Sequence, residues 1–246
     1  MKEKKEIAIS VKDVHIKYRG LKQMNIKNIF SLGKKKKTND FEAIKGISFE
    51  IEKGKILGII GRNGSGKTTI LRAIAGIFSA DEGTIDLKNN TVSLLSIGVG
   101  FQKKLTGYEN IFLSGLLLGF TESEIKANID KIIEFSELGD FIYKPVRTYS
   151  SGMHSKLAFA ITAILESDVM LIDEVLSVGD AKFKKKSYAK MKELINDENR
   201  TVVIVSHSLE TLKKLCNEIL WLNDGKIKMQ GAPKDVIPLY EEFMKA

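Results

Sequence analysis

One glycine-rich stretch has the residue types and the spacing of a phosphate-binding loop. "GRNGSGKT" follows the apolar run 56–61, precedes a helical pattern, and fits G-x-x-x-x-G-K-[ST] at every fixed position. In such a loop the backbone amides face phosphate oxygens, the lysine contacts the β- and γ-phosphates, and the Ser/Thr hydroxyl contacts Mg²⁺. The alternative is a glycine-rich turn with a surface lysine, which the complete pattern disfavours. We therefore predict a nucleoside triphosphate and Mg²⁺ site at Gly61, Arg62, Asn63, Gly64, Ser65, Gly66, Lys67, Thr68 and Thr69.

Two adjacent carboxylates end a second apolar run, "DVMLIDE". Carboxylates at the end of a buried strand are costly unless a cation or hydrogen bonds compensate. We assign Asp173 to the Mg²⁺ shell and Glu174 to the attacking water, as the catalytic base. The alternative is a coincidental acidic turn.

A histidine, His207, ends a third apolar stretch, "TVVIVSH" at 201–207. A lone histidine is more often structural than catalytic. At the end of a strand parallel to the other two, however, it would face the same γ-phosphate, and we include it among the catalytic candidates.

A separate candidate site lies at "YSSGM", where Ser150, Ser151 and Gly152 precede a long apolar helical run. Serine and glycine are poor helix formers but good N-terminal caps. The pattern predicts a helix start whose N–H groups are left uncovered, and such a start binds anions.

The remaining patterns describe the elements that must position these residues. Alternation in two phases over 7–18 predicts an edge-type antiparallel strand with a bulge. The three continuous apolar runs predict central parallel strands that are buried on both faces. Residues 107–140 have a helical pattern in which Thr121 and Glu124 are spaced as a capping box.

Two further segments differ in character. Residues 20–40 are rich in lysine and are predicted to form a loop or an insertion. Further along the chain, Asn223-Asp224-Gly225 predicts a hairpin turn, and a last helix begins at about Pro233.

Composition limits the class of protein. The chain has 246 residues, 43% of them hydrophobic, and a net charge of +8. The charge suits an anionic partner, or it is simply a basic surface. The single cysteine excludes an internal disulfide, and the longest apolar runs fall short of the roughly 18 residues that span a bilayer. We expect a cytosolic protein, or one peripheral to a membrane.

The ordered motifs together resemble the ATP-binding cassette (ABC) ATPases over about residues 5–235. The resemblance implies an α/β fold: a P-loop NTPase (RecA-like) core with an antiparallel β subdomain and an inserted α-helical subdomain. A single domain, 1–246, would comprise the core at about 1–105 and 168–235, the helical subdomain at about 106–167, the basic insertion at 20–40 and the C-terminal helix at 233–246.

The same resemblance implies roles for further residues. Tyr18 would stack on the adenine of ATP, with Phe41 as the second candidate. Gln102 would sense Mg²⁺ and water and couple to a partner, and Asp180 would lie in a loop that crosses a dimer interface. His207 would contact the γ-phosphate.

In this family the 149–153 segment binds the γ-phosphate of ATP held by the other subunit. The usual pattern is Leu-Ser-Gly-Gly-Gln, and here it is Tyr-Ser-Ser-Gly-Met. The departures, together with "IDEVLSVGDAKF" and "GVGFQKKLTGYENI", resemble the subfamily that exports teichoic acids and lipid-linked polysaccharides. The motif gives no reason for His154, which directly follows this segment.

The expected function is therefore that of an ATPase in an ABC exporter. A homodimer would join two integral-membrane permease subunits at the cytoplasmic face of the cell membrane. The cargo would be a lipid-linked polymer, with wall teichoic acid preferred over O-antigen or capsular polysaccharide. Some relatives that export O-antigens carry a further β-sandwich domain after the cassette. The sequence up to Ala246 contains no such domain, so we do not expect this protein to select its cargo by the terminus of the sugar chain.

Two alternatives are less favoured. A non-transport cassette acting on nucleic acid or ribosomes would suit the charge, but such proteins usually carry two cassettes or a long coiled coil. We therefore expect no nucleic acid partner. A GTPase would need an Asn-Lys-x-Asp motif, which the sequence lacks.

Overall fold

The computed structural model describes residues 6–18, 41–95, 100–173, 180–197 and 199–245. The strands within these ranges are β1 (Ile7–Tyr18), β2 (Phe41–Glu52), β3 (Ile56–Ile60), β4 (Glu82–Asp86), β5 (Val92–Leu95), β6 (Val169–Asp173), β7 (Thr201–Val205), β8 (Glu218–Asn223) and β9 (Lys226–Gly231). The α-helices are α1 (Lys67–Ile74), α2 (Gly107–Leu117), α3 (Glu122–Ser136), α4 (Ser151–Ile164), α5 (Ala181–Ile195), α6 (Leu209–Leu215) and α7 (Pro233–Lys245). The predicted insertion at 20–40 and the predicted base Glu174 lie outside the described residues.

A six-stranded sheet has the order β5-β6-β7-β3-β8-β9. Its strands pair in parallel except β8 and β9, which form an antiparallel hairpin. Asp224 and Gly225 adopt positive φ angles at the hairpin turn, as the Asn-Asp-Gly pattern predicts. The three apolar runs are the neighbouring strands β6, β7 and β3, so the residues that follow them meet at one edge of the sheet.

A smaller antiparallel sheet has the order β2-β1-β4. The register between β1 and β2 shifts between Val11 and Val14, which confirms the predicted bulge. The expectation that β1 is an edge strand is wrong, because β4 pairs with its second side. The sequence predicts a short strand at 84–87, which overlaps β4, but does not indicate that β1 is its partner.

The central strands are buried on both faces, as their unbroken apolar sequences predict. Leu171 and Val203 face a core shared with the smaller sheet and α1. Their neighbours Met170 and Val202 face a second core against α5, α6 and α7. Alternate residues therefore serve two layers, which places the six-stranded sheet between them.

Helices α2, α3 and α4 enclose a third apolar core. The Thr121–Glu124 capping box is present at the start of α3, and a second box, Thr106–Glu109, starts α2. Each box satisfies two backbone donors reciprocally, so both helix starts are fixed locally. Within the described ranges, no helix is both long and apolar enough to cross a membrane.

Candidate functional site

The glycine-rich loop connects β3 to α1 and curls tightly over the end of the sheet. Gly66 has a φ of 103°, and a Cβ there would lie 2.8 Å from the carbonyl oxygen of Ala43. A Cβ on Gly61 would collide with Ser65 and with the carbonyl of Leu222. Side chains at either position would therefore open the loop and spoil the alignment of its backbone amides.

Lys67 is folded back into this loop and is only 7% exposed. Its Nζ donates hydrogen bonds to the carbonyl oxygens of Gly61 (2.8 Å) and Arg62 (3.1 Å). Burial lowers the pKa of Lys67, and the nearby Asp173 carboxylate opposes that shift. A phosphate bound in the loop would compensate for the hydration that the Lys67 ammonium loses on burial, and would favour its charged form.

The predicted Mg²⁺ residues meet where α1 begins and β6 ends. Thr68 Oγ1 donates a hydrogen bond to Asp173 Oδ1 over 3.3 Å. Among the described residues, no cluster of three or more His, Cys, Asp or Glu could hold a metal. One hydroxyl and one carboxylate suit Mg²⁺, which usually keeps waters and phosphate oxygens as its other ligands. The residues present therefore fit a Mg²⁺–nucleotide site.

A cavity of about 210 Å³ opens beside the loop. Its lining includes Tyr18, Phe41, Ala43, Asn63, Gly64, Gly66, Lys67, Thr68, Thr69 and His207. The structure therefore brings His207, which is distant from the loop in sequence, to the same cavity as Lys67. Ser65 Oγ is buried nearby and has no hydrogen-bond partner among the described residues.

Both aromatic candidates for adenine stacking lie on this cavity. Tyr18 and Phe41 are paired across β1 and β2, and their exposed fractions are 47% and 56%. The Tyr18 hydroxyl lies 3.2 Å from Thr69 Oγ1, which ties β1 to the first turn of α1. The two rings form an exposed apolar surface suited to a flat base.

Arg62 is placed differently from the rest of the loop. Its Nη2 donates to the carbonyl oxygen of Phe243 on α7 (3.1 Å), and its guanidinium lies 4.5 Å from the centre of that ring. The side chain therefore holds α7, while the backbone remains in the loop.

Gln102 does not line the cavity. Its backbone forms two hydrogen bonds with the side chain of Asn110 on α2. The Gln102 amide donates to Asn110 Oδ1 (2.7 Å), and Asn110 Nδ2 donates to the Gln102 carbonyl (3.1 Å). Asn110 is fully buried. Sequence reasoning missed this residue, although a polar side chain within the apolar pattern of α2 was an available signal.

The helix start at Ser150 is a second, separate site candidate. Ser150 is the N-cap of α4, and its Oγ accepts a hydrogen bond from the Met153 amide (3.2 Å). The expectation that the whole helix start is uncovered is therefore wrong, because the serine caps part of it. The first backbone bond of α4 runs from His154 to Ser150, so the amides of Ser151 and Gly152 precede it. Neither these residues nor Ser150 lines the cavity at Lys67.

Comparisons with known proteins agree with this architecture. A sequence model described as ABC transporter matches residues 44–177. This chain belongs to the ABC transporter family. Solved structures have the same fold: an ATP-binding subunit of an ABC transporter (TM-score 0.70, 19% identity, 95% of this chain and 93% of that one), and a dimeric ATP-binding cassette, MJ0796, bound to ADP and Pi (TM-score 0.66, 20% identity, 92% and 98%). They confirm the predicted P-loop α/β fold.

Closer relatives in sequence are export proteins. The chain is 47% identical over 210 residues to the teichoic acids export ATP-binding protein TagH of Lactococcus lactis subsp. lactis (strain IL1403), covering 85% of this chain and 45% of that protein. It is 45% identical over 200 residues to the O-antigen export system ATP-binding protein RfbB of Myxococcus xanthus, covering 81% and 46%. The chain thus spans about half the length of these relatives.

Proposed function

We propose that this chain hydrolyses ATP as the nucleotide-binding subunit of an ABC exporter for a lipid-linked cell-surface polymer. The observation that supports the ATPase part is that Lys67 and Thr68 line one cavity and that Thr68 contacts Asp173. The export part is supported by the similarity to TagH and RfbB. Wall teichoic acid is the preferred cargo, and O-antigen or capsular polysaccharide is the alternative.

Within the loop, each residue has a task that follows from its contacts. Lys67 exchanges the carbonyls of Gly61 and Arg62 for the β- and γ-phosphate oxygens, and the loop amides orient those phosphates. Thr68 and Asp173 would hold Mg²⁺, which would neutralise phosphate charge when bound. Tyr18 or Phe41 stacks on the adenine.

Hydrolysis needs groups on the far side of the γ-phosphate. Glu174 would accept the proton of the attacking water, His207 would contact the γ-phosphate, and Gln102 would sense Mg²⁺ and that water. Ser150, with Ser151 and Gly152, contacts the γ-phosphate of the nucleotide bound by a second copy of the chain. A two-fold homodimer places both composite sites between the protomers, and two permease subunits bind the pair at the cytoplasmic face of the membrane.

The ATPase assignment is tested by Glu174→Gln. The amide can hold the water but cannot accept its proton, so ATP binding should persist while turnover falls by about 100-fold or more. The ATP-bound dimer should then accumulate in size-exclusion chromatography. Glu134→Gln, which changes an exposed carboxylate on α3, is the matched control and should hydrolyse ATP normally. Normal turnover by Glu174→Gln would remove Glu174 as the base.

The cargo assignment needs the assembled transporter. Co-purification with its permease, followed by mass spectrometry of the bound lipid, should identify a lipid-linked teichoic acid or polysaccharide. The protein should also sediment with membranes. Sedimentation with ribosomes, with no permease recovered, would overturn the export proposal and leave the ATPase test unaffected.

A further inference from the structure

Helix α5 is strongly basic. Its 15 residues include six lysines and a single acid, Glu193. One side of the helix is apolar and packs on the second core, where Phe183 and Leu194 are buried. The other side is exposed to solvent. We call its exposed residues the basic face of α5: Lys182, Lys184, Lys185, Tyr188 and Lys192.

Ion pairs within the chain neutralise little of this charge. Among the described residues, close carboxylate partners face the two partly buried lysines of α5, Lys186 and Lys190. On the basic face, Lys182 is 85% exposed and its Nζ lies 4.0 Å from a carboxylate oxygen of Glu137. Three further lysines of the basic face form no ion pair with a described residue: Lys184, Lys185 and Lys192.

The lysines are also placed against the electrostatics of the helix itself. Asp180 caps α5 by accepting hydrogen bonds from two backbone amides (3.0 Å each). After this cap, the first turn contains no acid and carries Lys182 and Lys184. The amino end of a helix has a partial positive charge, which disfavours lysine and favours acids such as Glu122 and Glu124 at the start of α3. The basic face therefore does not serve the fold, and a local rule broken without structural gain is typical of a functional surface.

We propose that the basic face of α5 binds the exported polymer through the phosphodiesters that join the repeats of a teichoic acid. This deepens the proposed function and rests on it. Each phosphodiester carries one negative charge at neutral pH, and a flexible chain can follow the helix over the about 15 Å from Lys182 to Lys192. Lysine suits this partner because its ammonium is a point charge on a flexible stem, which contacts phosphate oxygens without a fixed geometry.

Single-stranded RNA is also a phosphodiester polymer, but the basic face fits it less well. Proteins that bind single strands usually stack the bases on several aromatic rings. The basic face has one exposed ring, that of Tyr188, and the Nζ of Lys192 lies 5.9 Å from its centre. The similarity of the chain to a teichoic acids export protein further favours a polyol phosphate.

Two variants with the same change in net charge test the position of the charge. The α5 variant replaces three lysines of the basic face by glutamine, which is also a good helix former: Lys184→Gln, Lys185→Gln and Lys192→Gln. The scattered variant replaces three exposed lysines of β1, α3 and β9 in the same way: Lys12→Gln, Lys131→Gln and Lys226→Gln. A difference between the two variants therefore reports where the charge lies, and not how much charge the protein has.

Binding is measured by the fluorescence anisotropy of labelled poly(glycerol phosphate), without nucleotide. The wild type should bind the polymer, and the affinity should fall as the salt concentration rises. The α5 variant should bind about tenfold more weakly, the size expected for the loss of three exposed ionic contacts, and its affinity should depend less on salt. The scattered variant should stay within about twofold of the wild type. Arginine in place of the same three lysines of α5 should preserve binding.

Two other polymers decide between partners. Dextran, a neutral polysaccharide, should not bind, and poly(U) should bind more weakly than poly(glycerol phosphate). Tighter binding of poly(U) that is lost in the α5 variant would make the surface a nucleic acid site and overturn the proposal. Equal losses in the two lysine variants, binding of dextran as tight as that of poly(glycerol phosphate), or no binding by the wild type would also overturn it.

ATP hydrolysis and thermal stability keep this inference distinct from the proposed function. No residue of the basic face lines the nucleotide cavity, so the α5 variant should keep the basal kcat and KM for ATP. Its thermal stability should equal or exceed that of the wild type, because a lysine of the first turn is removed. A clear loss of stability would contradict the claim that these lysines do not serve the fold. A wild type that binds poly(glycerol phosphate) without hydrolysing ATP would overturn the proposed function alone, and hydrolysis without polymer binding would overturn this inference alone.

Discussion

Thr68 Oγ1 lies 3.3 Å from Asp173 Oδ1, although the two residues are 105 positions apart in the chain. The contact joins the first turn of α1 to the end of β6. It is possible because β6 reaches the same edge of the sheet as β3, with only β7 between them. A hydroxyl and a carboxylate that already touch need little rearrangement to share one Mg²⁺.

Removing this hydroxyl should weaken Mg²⁺-dependent nucleotide binding selectively. Thr68→Ala should lower the affinity for ATP with Mg²⁺ by about tenfold or more, the effect expected for one hydrogen bond or ligand to a charged group. Affinity for ATP in the presence of a chelator should change little. Isothermal titration calorimetry with and without Mg²⁺ measures both values. Thr68→Ser keeps the hydroxyl and should behave as the wild type; equal losses with and without Mg²⁺ would contradict the assignment.

Heterodimers should reveal whether Ser150 acts across the dimer. Ser150→Arg and Lys67→Ala should each abolish hydrolysis as homodimers. Mixed in one dimer, on separate protomers, both lesions fall on the same composite site and leave the other intact. ATPase activity should therefore reappear in heterodimers purified through two different affinity tags.

The control places both substitutions on one protomer and pairs it with a wild-type protomer. Each composite site then carries one lesion, and the heterodimer should be inactive. The reverse pattern, with activity in this arrangement and none in the other, would mean that Ser150 serves the nucleotide of its own chain.

The sequence predicts well which strands are neighbours at this edge of the sheet, because its signals are local and redundant. The loop before α1 needs glycines at fixed spacing, and the strands before Asp173 and His207 are unbroken apolar runs, a pattern typical of strands buried on both faces. Parallel pairing then brings residues from distant parts of the chain together.

Other features depend on contacts that no local pattern encodes. The pairing of β4 with β1 makes β1 a central strand, yet β4 is short and mostly exposed, so its sequence does not specify a partner. The turn of Arg62 towards Phe243, and the clasp of Gln102 by Asn110, join residues through side chains whose partners are set by tertiary packing. Such partners become visible only in the folded chain.

Arg62 should prove to be a contact for α7 more than for nucleotide. Arg62→Ala removes the hydrogen bond and the cation–π contact with Phe243, and should lower the free energy of unfolding by about 1 kcal/mol. The dissociation constant for ATP should stay within about twofold, since the side chain does not line the cavity. Denaturant titration and calorimetry measure the two quantities.

Lys228→Ala is the matched control for Arg62→Ala. Lys228 Nζ lies 3.6 Å from the centre of the same Phe243 ring but belongs to β9, outside the phosphate loop. Both variants should lose stability and keep ATP affinity. If only Arg62→Ala weakened ATP binding, and by tenfold or more, its side chain would be a nucleotide ligand, as the sequence suggested.

His154, for which the sequence motif gives no reason, packs against Phe101, the residue before Gln102. The two ring centres lie 4.8 Å apart with the planes inclined by 60°. Burial, and secondarily the charge of Lys103, lowers the pKa of His154. The folded protein therefore favours the neutral imidazole. Its packing against Phe101 links the start of α4 to the segment that contains Gln102.

This lowered pKa predicts how stability depends on pH. Below about pH 6.5, the unfolded chain protonates His154 while the folded chain resists, so acidification favours unfolding until the folded-state pKa is passed. His154→Phe keeps an aromatic ring against Phe101 and cannot titrate. The free energy of unfolding of the wild type, minus that of His154→Phe, should be constant above neutral pH and fall as the pH drops below about 6.5.

For a second histidine, His15, we expect the contribution to stability to change with pH in the opposite direction. Its hydrogen bond to Glu42 raises the pKa of His15, so its contribution is present at low pH and lost as the pH rises through the folded-state value. The free energy of unfolding of the wild type, minus that of His15→Asn, should therefore increase on acidification. Urea titrations from pH 5 to 8 measure both differences. His15 is common to the wild type and His154→Phe, so its contribution cancels from the first difference.

A wild-type advantage over His154→Phe that grew at acidic pH would contradict the His154 prediction. It would mean that the folded protein binds the His154 proton more tightly than the unfolded chain does, and that the packing on Phe101 favours the charged ring.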